Sequence, residues 1–308
     1  MEYKMPSIDN KNRSNRFNLK KFFSNIGAGI CMGAADIVPG VSGGTMAFIL
    51  GIYQELIDSI KLIDSTTIRL LLKLKFKEVF NYIPWQFLAS LFFGMLLSVV
   101  TLSQFIEDQL SSNPTVIWSF FFGLVLASVV TILKAINNWS TTIIILIMIS
   151  SVVSYAIVGA APQNTPNTAW FIFLSGAIAI NAMILPGISG AYILVLLGKY
   201  KYILSAVNSR DFVTLTIFLI GASIGLATFV RMLSWLLQKH RNICMSVLTG
   251  LMIGSLRKLW PWQSTNTPTH PILPSSMSYE TITVIGIISI GISMVLLLHK
   301  ISNNKKET

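Results

Sequence analysis

Two short segments of the sequence share a Pro-Gly-x-Ser-Gly pattern whose backbone could bind an anion. Proline and glycine interrupt a helix, and a helix that restarts after them begins with N–H groups that have no partner within the helix. The helix macrodipole adds about half a positive charge there, which favours a phosphate or a carboxylate. The first tip (residues 39–45) offers Gly40, Ser42, Gly43, Gly44 and Thr45 as candidate ligands, and the second tip (residues 186–192) offers Gly187, Ser189, Gly190, Ala191 and Tyr192.

In this interpretation the unpaired donors are the N–H groups of Gly43, Gly44 and Thr45, and those of Gly190, Ala191 and Tyr192. Two other interpretations remain open. Each pattern could be a helix break needed only for packing, with the serine as N-cap. Residues 40–44 also match G-x-S-x-G, the motif of a serine nucleophile. A nucleophile needs a base within hydrogen-bond reach, and the histidines (His240, His270 and His299) lie at predicted helix ends or in loops.

The segments around the two tips are copies of each other. With an offset of 147, ten of the 25 positions from 29 to 53 are identical to those from 176 to 200. The match continues at an offset of 127, where Gly94, Gly123 and Ser128 face Gly221, Gly250 and Ser255. Internal duplication on this scale is typical of transporters.

Composition restricts the class of protein that contains these copies. Of 308 residues, 53% are hydrophobic and 11% charged, which excludes a soluble enzyme, a disordered chain and a disulfide-rich secreted protein. The net charge of +11 comes from basic residues beside apolar segments, a pattern of membrane topology rather than of nucleic-acid binding. Cys31 and Cys244 form no metal-binding motif, and we expect neither a metal nor a cofactor.

The apolar segments predict an all-α integral membrane protein. Because a crossing helix needs about 20 residues, we predict two copies, each a re-entrant pair of half-helices of about 15 residues plus transmembrane helices. Repeat one covers about 22–133 and repeat two about 170–259, within a membrane domain of residues 22–300. The predicted crossings are 86–106, 115–133, 142–161, 212–237, 242–259 and 281–299, of which 142–161 and 281–299 lie outside the repeats.

Basic residues predict the orientation. Residues 1–21 carry six Lys or Arg and residues 59–84 carry five, so both are expected in the cytoplasm, as is the tail 301–308. Three crossings then separate the two tips, which makes the second copy inverted. Lys199, Lys201 and Arg210 do not fit, because this topology places them outside.

Charged residues within apolar segments are further candidates, because each costs about 2.5–3.5 kcal/mol in a span. Arg231 could bind phosphate with its planar guanidinium, or extend to the interface. Asp36 could cap a half-helix, pair with Arg231 or carry a coupling proton or cation. Arg257 and Lys258 precede Trp260 near the predicted outer interface, where they could attract a lipid phosphate.

The tips and their flanks, together with GLMIGSLRKLWPW at 250–262, resemble the bacterial polyprenyl-phosphate (undecaprenyl phosphate) transporter family over about residues 22–300. A weaker resemblance is to undecaprenyl-diphosphate phosphatase, whose repeats carry Pro-Gly-x-Ser-Arg-Ser with paired glutamates. This chain has Gly43 and Gly190 in place of that arginine, and neither tip has an accompanying ExxxE pair. The second resemblance therefore implies a polyprenyl substrate without phosphatase activity.

The first resemblance implies a flippase of the bacterial cytoplasmic membrane with both termini in the cytoplasm. It would move undecaprenyl phosphate from the outer to the inner leaflet, so that the lipid carrier of cell-wall synthesis is reused. The polyprenyl tail would stay in the lipid while one repeat rocks against the other. The alternatives are an enzyme similar to undecaprenyl-diphosphate phosphatase and a carrier of a small anion.

Overall fold

The structure, a computed structural model, describes residues 18–38, 41–134, 136, 138–263, 271–274 and 278–304. Within these residues the regular secondary structure is helical, apart from an isolated bridge between Gln263 and Pro271. The helices are α1 (Leu19–Ile37), α2 (Gly43–Ile49), α3 (Tyr53–Lys61), α4 (Ser65–Leu72), α5 (Phe76–Tyr82), α6 (Trp85–Ser112), α7 (Pro114–Lys134), α8 (Thr141–Gly159), α9 (Ala169–Ile184), α10 (Gly190–Leu196), α11 (Tyr200–Asn208), α12 (Phe212–Lys239), α13 (Arg241–Leu259) and α14 (Tyr279–Asn304).

The chain is a multi-pass integral membrane protein. Within the described ranges, α6, α7, α8, α12 and the Tyr279–Leu298 part of α14 are long and apolar enough to cross a bilayer. The sixth predicted crossing forms α13, which is not among these helices because Arg257, Lys258 and several hydroxyl side chains lower its hydropathy. Packing compensates, since α13 lies against α7, α8 and α12 and buries Ser246, Thr249 and Ser255.

Each tip follows a long helix and precedes two short ones, which corrects the predicted pair of half-helices. The second half was expected to run for about 15 residues, but α2 and α10 each end after seven. The chain then turns at Gly51 (φ 71°) and at Gly198 (φ 64°), left-handed conformations that glycine adopts without steric cost. At the second turn α10 and α11 meet at 104°.

Helix bounds repeat between the two copies. The bounds of α10 and α11 equal those of α2 and α3 shifted by 147 residues, and the bounds of α12 equal those of α6 shifted by 127. Packing repeats as well. A side chain on Gly29 or Gly94 would clash with the facing carbonyl of α6 or α1, and one on Gly176 or Gly221 with the equivalent carbonyl of α12 or α9. The duplication in the sequence is therefore also present in the structure.

The two helices outside the repeats pack across the copies. Helix α8, which follows repeat one, packs mainly against α13 of repeat two, whereas α14, which follows repeat two, packs against α7 of repeat one. These contacts need small residues, because Gly250 and Gly254 lie directly against α8, while Gly123 and Gly291 allow α7 and α14 to touch. The contacts of α8 with α13 and of α14 with α7 therefore hold the two copies together.

Helices α1 and α14 extend into the two predicted tails. Helix α1 begins at Leu19, within the predicted tail 1–21, because Asn18 caps it by accepting a 3.1 Å hydrogen bond from the Lys21 N–H. Helix α14 continues to Asn304, within the predicted tail 301–308. Residues 1–17 and 305–308 lie outside the described ranges.

Candidate functional site

The two tips lie against each other and are joined by hydrogen bonds. The Ser42 hydroxyl donates to the carbonyl oxygen of Met183 at 2.9 Å, and the Thr45 hydroxyl accepts from the Gly187 N–H at 2.9 Å. The Tyr53 hydroxyl donates to the Ile184 carbonyl at 3.3 Å. Pro39 and Gly40, the latter a predicted ligand, lie outside the described residues.

At the first tip the predicted free donors are all occupied. The Gly43 N–H donates to Asp36 Oδ1 at 2.6 Å, the Gly44 N–H to Ser42 Oγ at 3.1 Å, and the Thr45 N–H to the Ser42 carbonyl at 2.9 Å. The prediction of unpaired N–H groups at Gly43, Gly44 and Thr45 is therefore wrong. The physical reason is that Asp36, in the last turn of α1, folds back to cap α2 together with Ser42.

Glycine at the first tip makes room for protein atoms. A Cβ on Gly43 would lie 2.6 Å from Asp36 Oδ2, and one on Gly44 would clash with the Ile184 carbonyl. Residues 41–47 are all buried. Asp36 Oδ2 is also buried and has no hydrogen-bond partner among the described residues. The described part of the first tip is thus a closed packing element, and beside it lies an Asp36 carboxylate oxygen that no described residue satisfies.

The second tip is more open. Ser189 Oγ accepts from the Tyr192 N–H at 3.4 Å, so this donor is occupied. Within the described ranges, no hydrogen bond is formed by the N–H groups of Gly190 and Ala191. Ala191 is exposed and Tyr192 is half-buried, in contrast to Gly44 and Thr45 at the equivalent buried positions.

A basic–aromatic cluster (Trp118, Tyr155, Tyr192, Arg257 and Lys258) adjoins the second tip. The Arg257 guanidinium stacks 4.2 Å from the ring centre of Tyr155, and Arg257 Nη1 donates to the Tyr155 carbonyl at 3.1 Å. The Lys258 ammonium lies 5.7 Å from the ring centre of Tyr192 and 5.9 Å from that of Trp118. The Tyr192 hydroxyl donates to the Val158 carbonyl at 2.7 Å, which holds its ring beside the Lys258 ammonium.

Among the described residues, Lys258 has neither an acceptor nor an anionic partner. Its half-buried ammonium forms no hydrogen bond with a described residue, and it belongs to neither Lys21–Glu55 nor Lys75–Glu78, the salt bridges of the described ranges. A partly buried cation that lacks a counter-ion attracts an anion. Lys258 is adjacent to Arg257 in the sequence, but its position near Tyr192 could not be predicted, because α10 and α13 are far apart in the chain.

Arg231 is not brought to either tip. It is exposed on α12, its Nη1 donates to the Ala227 carbonyl one turn earlier at 2.8 Å, and it contacts neither tip among the described residues. It also does not pair with Asp36, which caps Gly43 instead. The sequence shows only that Arg231 lies in an apolar helix, whereas the side of the helix that carries it depends on packing.

Lys199 is a residue whose role the sequence did not reveal. Its side chain is only 1% exposed, and its ammonium donates to the Thr165 carbonyl at 2.7 Å and to Asn167 Oδ1 at 2.6 Å. The rings of Phe171 and Tyr202 flank it, each with its centre 5.7 Å away. Lys199 therefore fastens the loop before α9 to the turn between α10 and α11, and it is not a solvated loop charge of the kind that determines topology.

The geometry gives no support to a serine nucleophile. The Ser42 hydroxyl donates to backbone carbonyls, and Ser189 Oγ accepts from the backbone. In the part of the chain that the structure describes, no group of three His, Cys, Asp or Glu side chains could hold a metal ion.

Comparisons with known proteins give the same family that the residues at the tips resemble. Residues 32–273 match the family described as "Undecaprenyl phosphate translocase-like". The chain is 44% identical over 237 residues to a Vibrio cholerae protein named "Polyprenyl-phosphate transporter", a match that covers 77% of each chain. A Staphylococcus aureus protein of the same name is 31% identical over 263 residues, covering 79% of this chain and 87% of the relative. No solved structure matches the chain.

Proposed function

Because the chain belongs to the undecaprenyl phosphate translocase-like family, we propose that it is a flippase for polyprenyl phosphate, and specifically for undecaprenyl phosphate. It moves the lipid from the outer to the inner leaflet of the bacterial cytoplasmic membrane, where the carrier re-enters cell-wall synthesis. Two relatives named as polyprenyl-phosphate transporters support the substrate. The apolar helices support a route in which the polyprenyl tail stays in the lipid.

The phosphate binds between the second tip and the basic–aromatic cluster. The observation that carries this proposal is the half-buried Lys258 ammonium, which has no acceptor in the described part of the chain and lies 5.7 Å from the ring of Tyr192. Arg257 adds a guanidinium suited to bidentate phosphate binding. The N–H groups of Gly190 and Ala191 add two neutral donors, and Gly187 and Ser189 hold the turn that presents them.

The first tip supports this site and does not itself bind the ligand. Ser42 and Thr45 hold the end of α9 and the turn at Gly187, while Gly43 and Gly44 provide the space for close packing. No cofactor or metal takes part. The copies are inverted with respect to the membrane, with both chain termini in the cytoplasm, which puts the Lys-rich residues 59–84 inside and the basic–aromatic cluster toward the outer leaflet.

Binding and translocation of polyprenyl phosphate by the purified protein test the proposal. Lys258→Gln should weaken binding about tenfold or more, because a contact with a charged group contributes about 1.5–3 kcal/mol. Lys239→Gln is the matched control, since Lys239 also lies near an aromatic ring, that of Trp235, but is exposed at the end of α12. Equal binding by both variants and the parent protein would contradict the proposed site.

Two further measurements separate the alternative functions. Release of inorganic phosphate from undecaprenyl diphosphate would indicate an enzyme, and we expect none, because neither tip serine contacts a base among the described residues. Uptake of inorganic phosphate into proteoliposomes would indicate a small-anion carrier. We expect translocation of the lipid without such uptake, because the exposed apolar surfaces of α6 and α12 leave the tail in contact with lipid.

A further inference from the structure

Equivalent helices of the two copies do not pack equivalently across the molecule. Within each copy the contacts agree, since α1 packs on α2 and α6 as α9 packs on α10 and α12. Between copies, α3 packs on α12, but its counterpart α11 has no comparable packing on α6, although all four helices are fully described. Instead, α11 lies against α12 of its own copy. The asymmetry therefore concerns the contacts between copies.

Polar side chains form hydrogen bonds where α3 packs on α12, a contact between the copies that we call the α3–α12 seam. Asp58 Oδ1 accepts hydrogen bonds from Ser234 Oγ at 2.7 Å and from Gln238 Nε2 at 3.4 Å. The Lys61 ammonium donates to Ser234 Oγ at 3.2 Å. These bonds link the end of α3 in repeat one to the last turns of α12 in repeat two.

The counterpart positions on α11 and α6 carry a matching set of groups. Asp58 and Lys61 correspond to Ser205 and Asn208, while Ser234 and Gln238 correspond to Glu107 and Ser111. The carboxylate and the hydroxyl have exchanged helices, so each seam pairs one carboxylate with one serine. Ser205, Asn208, Glu107 and Ser111 are all exposed, and no hydrogen bond joins α11 to α6 among these described residues.

The short helices α2 and α10 also differ in burial between the two copies. Helix α2 is almost wholly buried, and it packs against α7, α9 and α14. Helix α10 is partly exposed, with Ala191 and Val195 open to the surroundings. The side of the molecule that contains α10 and α11 is therefore open, and the side that contains α2 and α3 is closed.

We propose that the two seams are alternating gates and that this structure has the α3–α12 gate closed and the α6–α11 gate open. The inference rests on the proposed function and on inversion of the copies, because inverted repeats exchange conformations during alternating access. In the opposite state, α11 lies against α6, and Glu107 accepts hydrogen bonds from Ser205 and Asn208. Lys61, one of the five Lys or Arg residues at 59–84, identifies the closed gate as cytoplasmic, so the phosphate site opens outward.

Cysteine pairs linked by a short bifunctional thiol reagent test the gates in the full-length protein. Cys31 and Cys244 are first replaced by serine and alanine, and this parent must still translocate the lipid. One variant carries Asp58→Cys with Ser234→Cys, and the other carries Glu107→Cys with Ser205→Cys. The matched control carries Lys21→Cys with Glu55→Cys, a salt-bridged pair of α1 and α3 within one copy.

We expect both gate pairs to cross-link, each with loss of translocation that returns when a cleavable linker is cut. The control pair should cross-link without loss. In a variant with both gate pairs, one molecule should accept either link but not both. The proposal would be overturned if the pair of Glu107→Cys and Ser205→Cys never cross-linked, either with or without polyprenyl phosphate. Normal translocation by protein in which the α3–α12 pair is linked would also overturn it.

The design separates failure of the gates from failure of the proposed function. Cross-linking is read from gel mobility after cleavage of the chain between the pairs and needs no substrate. If the parent translocates no polyprenyl phosphate, the proposed function fails, while mutually exclusive cross-links would still support two alternating gates. If translocation is normal and the links are not exclusive, the gate proposal alone fails.

Discussion

The hydroxyl of Thr45 accepts a 2.9 Å hydrogen bond from the backbone N–H of Gly187, which joins the two tips across 142 residues of sequence. Both groups are buried, so water cannot replace Thr45 as the partner of this N–H. Gly187 has a φ of 88°, a left-handed conformation. At this contact between the two copies, a side chain of the first tip therefore satisfies the backbone of the second.

Thr45→Val should destabilise the protein by about 1–3 kcal/mol, because it keeps the shape of the side chain but leaves the Gly187 N–H buried without a partner. Thermal unfolding in detergent, followed by tryptophan fluorescence, measures the effect. Thr101→Val is the control, because the exposed Thr101 hydroxyl bonds, among the residues that the structure describes, only to the Leu97 carbonyl of its own helix. Equal stability of the two variants would contradict the role of Thr45.

Asp36→Asn should keep the stability of the parent, because the amide oxygen can still accept from the Gly43 N–H. Asp36→Ala should cost about 0.5–2 kcal/mol, the usual loss when an N-terminal cap is removed. We expect the Asn variant also to translocate polyprenyl phosphate, since capping explains the position of Asp36. A folded Asp36→Asn protein without translocation would instead assign Asp36 to the coupling of a proton or cation.

Valine at the tip glycines should be more damaging than alanine at the tip serines. Gly43→Val places a Cβ 2.6 Å from Asp36 Oδ2, and Gly190→Val places one 2.5 Å from the Ala179 carbonyl oxygen. Ser42→Ala and Ser189→Ala each remove one cap, at about 0.5–2 kcal/mol. Translocation and yield of folded protein both check this order. Inactive serine variants beside active valine variants would revive a mechanism that needs the hydroxyl.

Arg231→Ala should leave binding of polyprenyl phosphate within about twofold of the parent, as expected for an exposed residue that bonds to its own helix. The sequence predicts the contrary result, because the guanidinium would bind the phosphate. In that case Arg231→Lys would bind polyprenyl phosphate more weakly than the parent, and Arg231→Ala more weakly still. Binding measured on folded Arg231→Lys and Arg231→Ala proteins decides between them. A graded loss in that order would restore Arg231 to the site.

Lys199→Met should lower the stability by about 1.5–3 kcal/mol, because it leaves the Thr165 carbonyl and Asn167 without their charged donor. Lys201→Met is the matched control, since Lys201 is exposed two residues away. Thermal unfolding and limited proteolysis of the loop at 160–168 measure the effect. If both variants unfold and are cut like the parent protein, Lys199 does not fasten this loop.

The sequence by itself determined the membrane class, the duplication and the position of the tips. Long apolar helices form wherever water is replaced by lipid, so α6, α7, α8, α12 and α14 follow from local composition. Proline and glycine end helices through their own backbone restrictions, which is why both breaks lie at Pro-Gly-x-Ser-Gly. The turns at Gly51 and Gly198 could also have been predicted from the sequence, because Leu-Gly-x-Tyr recurs at both positions.

Only the tertiary structure decided which groups at those positions are free. A helix begins with backbone N–H groups that have no partner within the helix, but at the first tip, where α2 packs against α1, Asp36 and Ser42 accept from those of Gly43 and Gly44. Arg231 and Lys258 both lie in helices with apolar neighbours, and packing turned one away from the tips and the other toward Tyr192. Local composition determines where helices form and end, whereas the contacts of a side chain depend on helices distant in the chain.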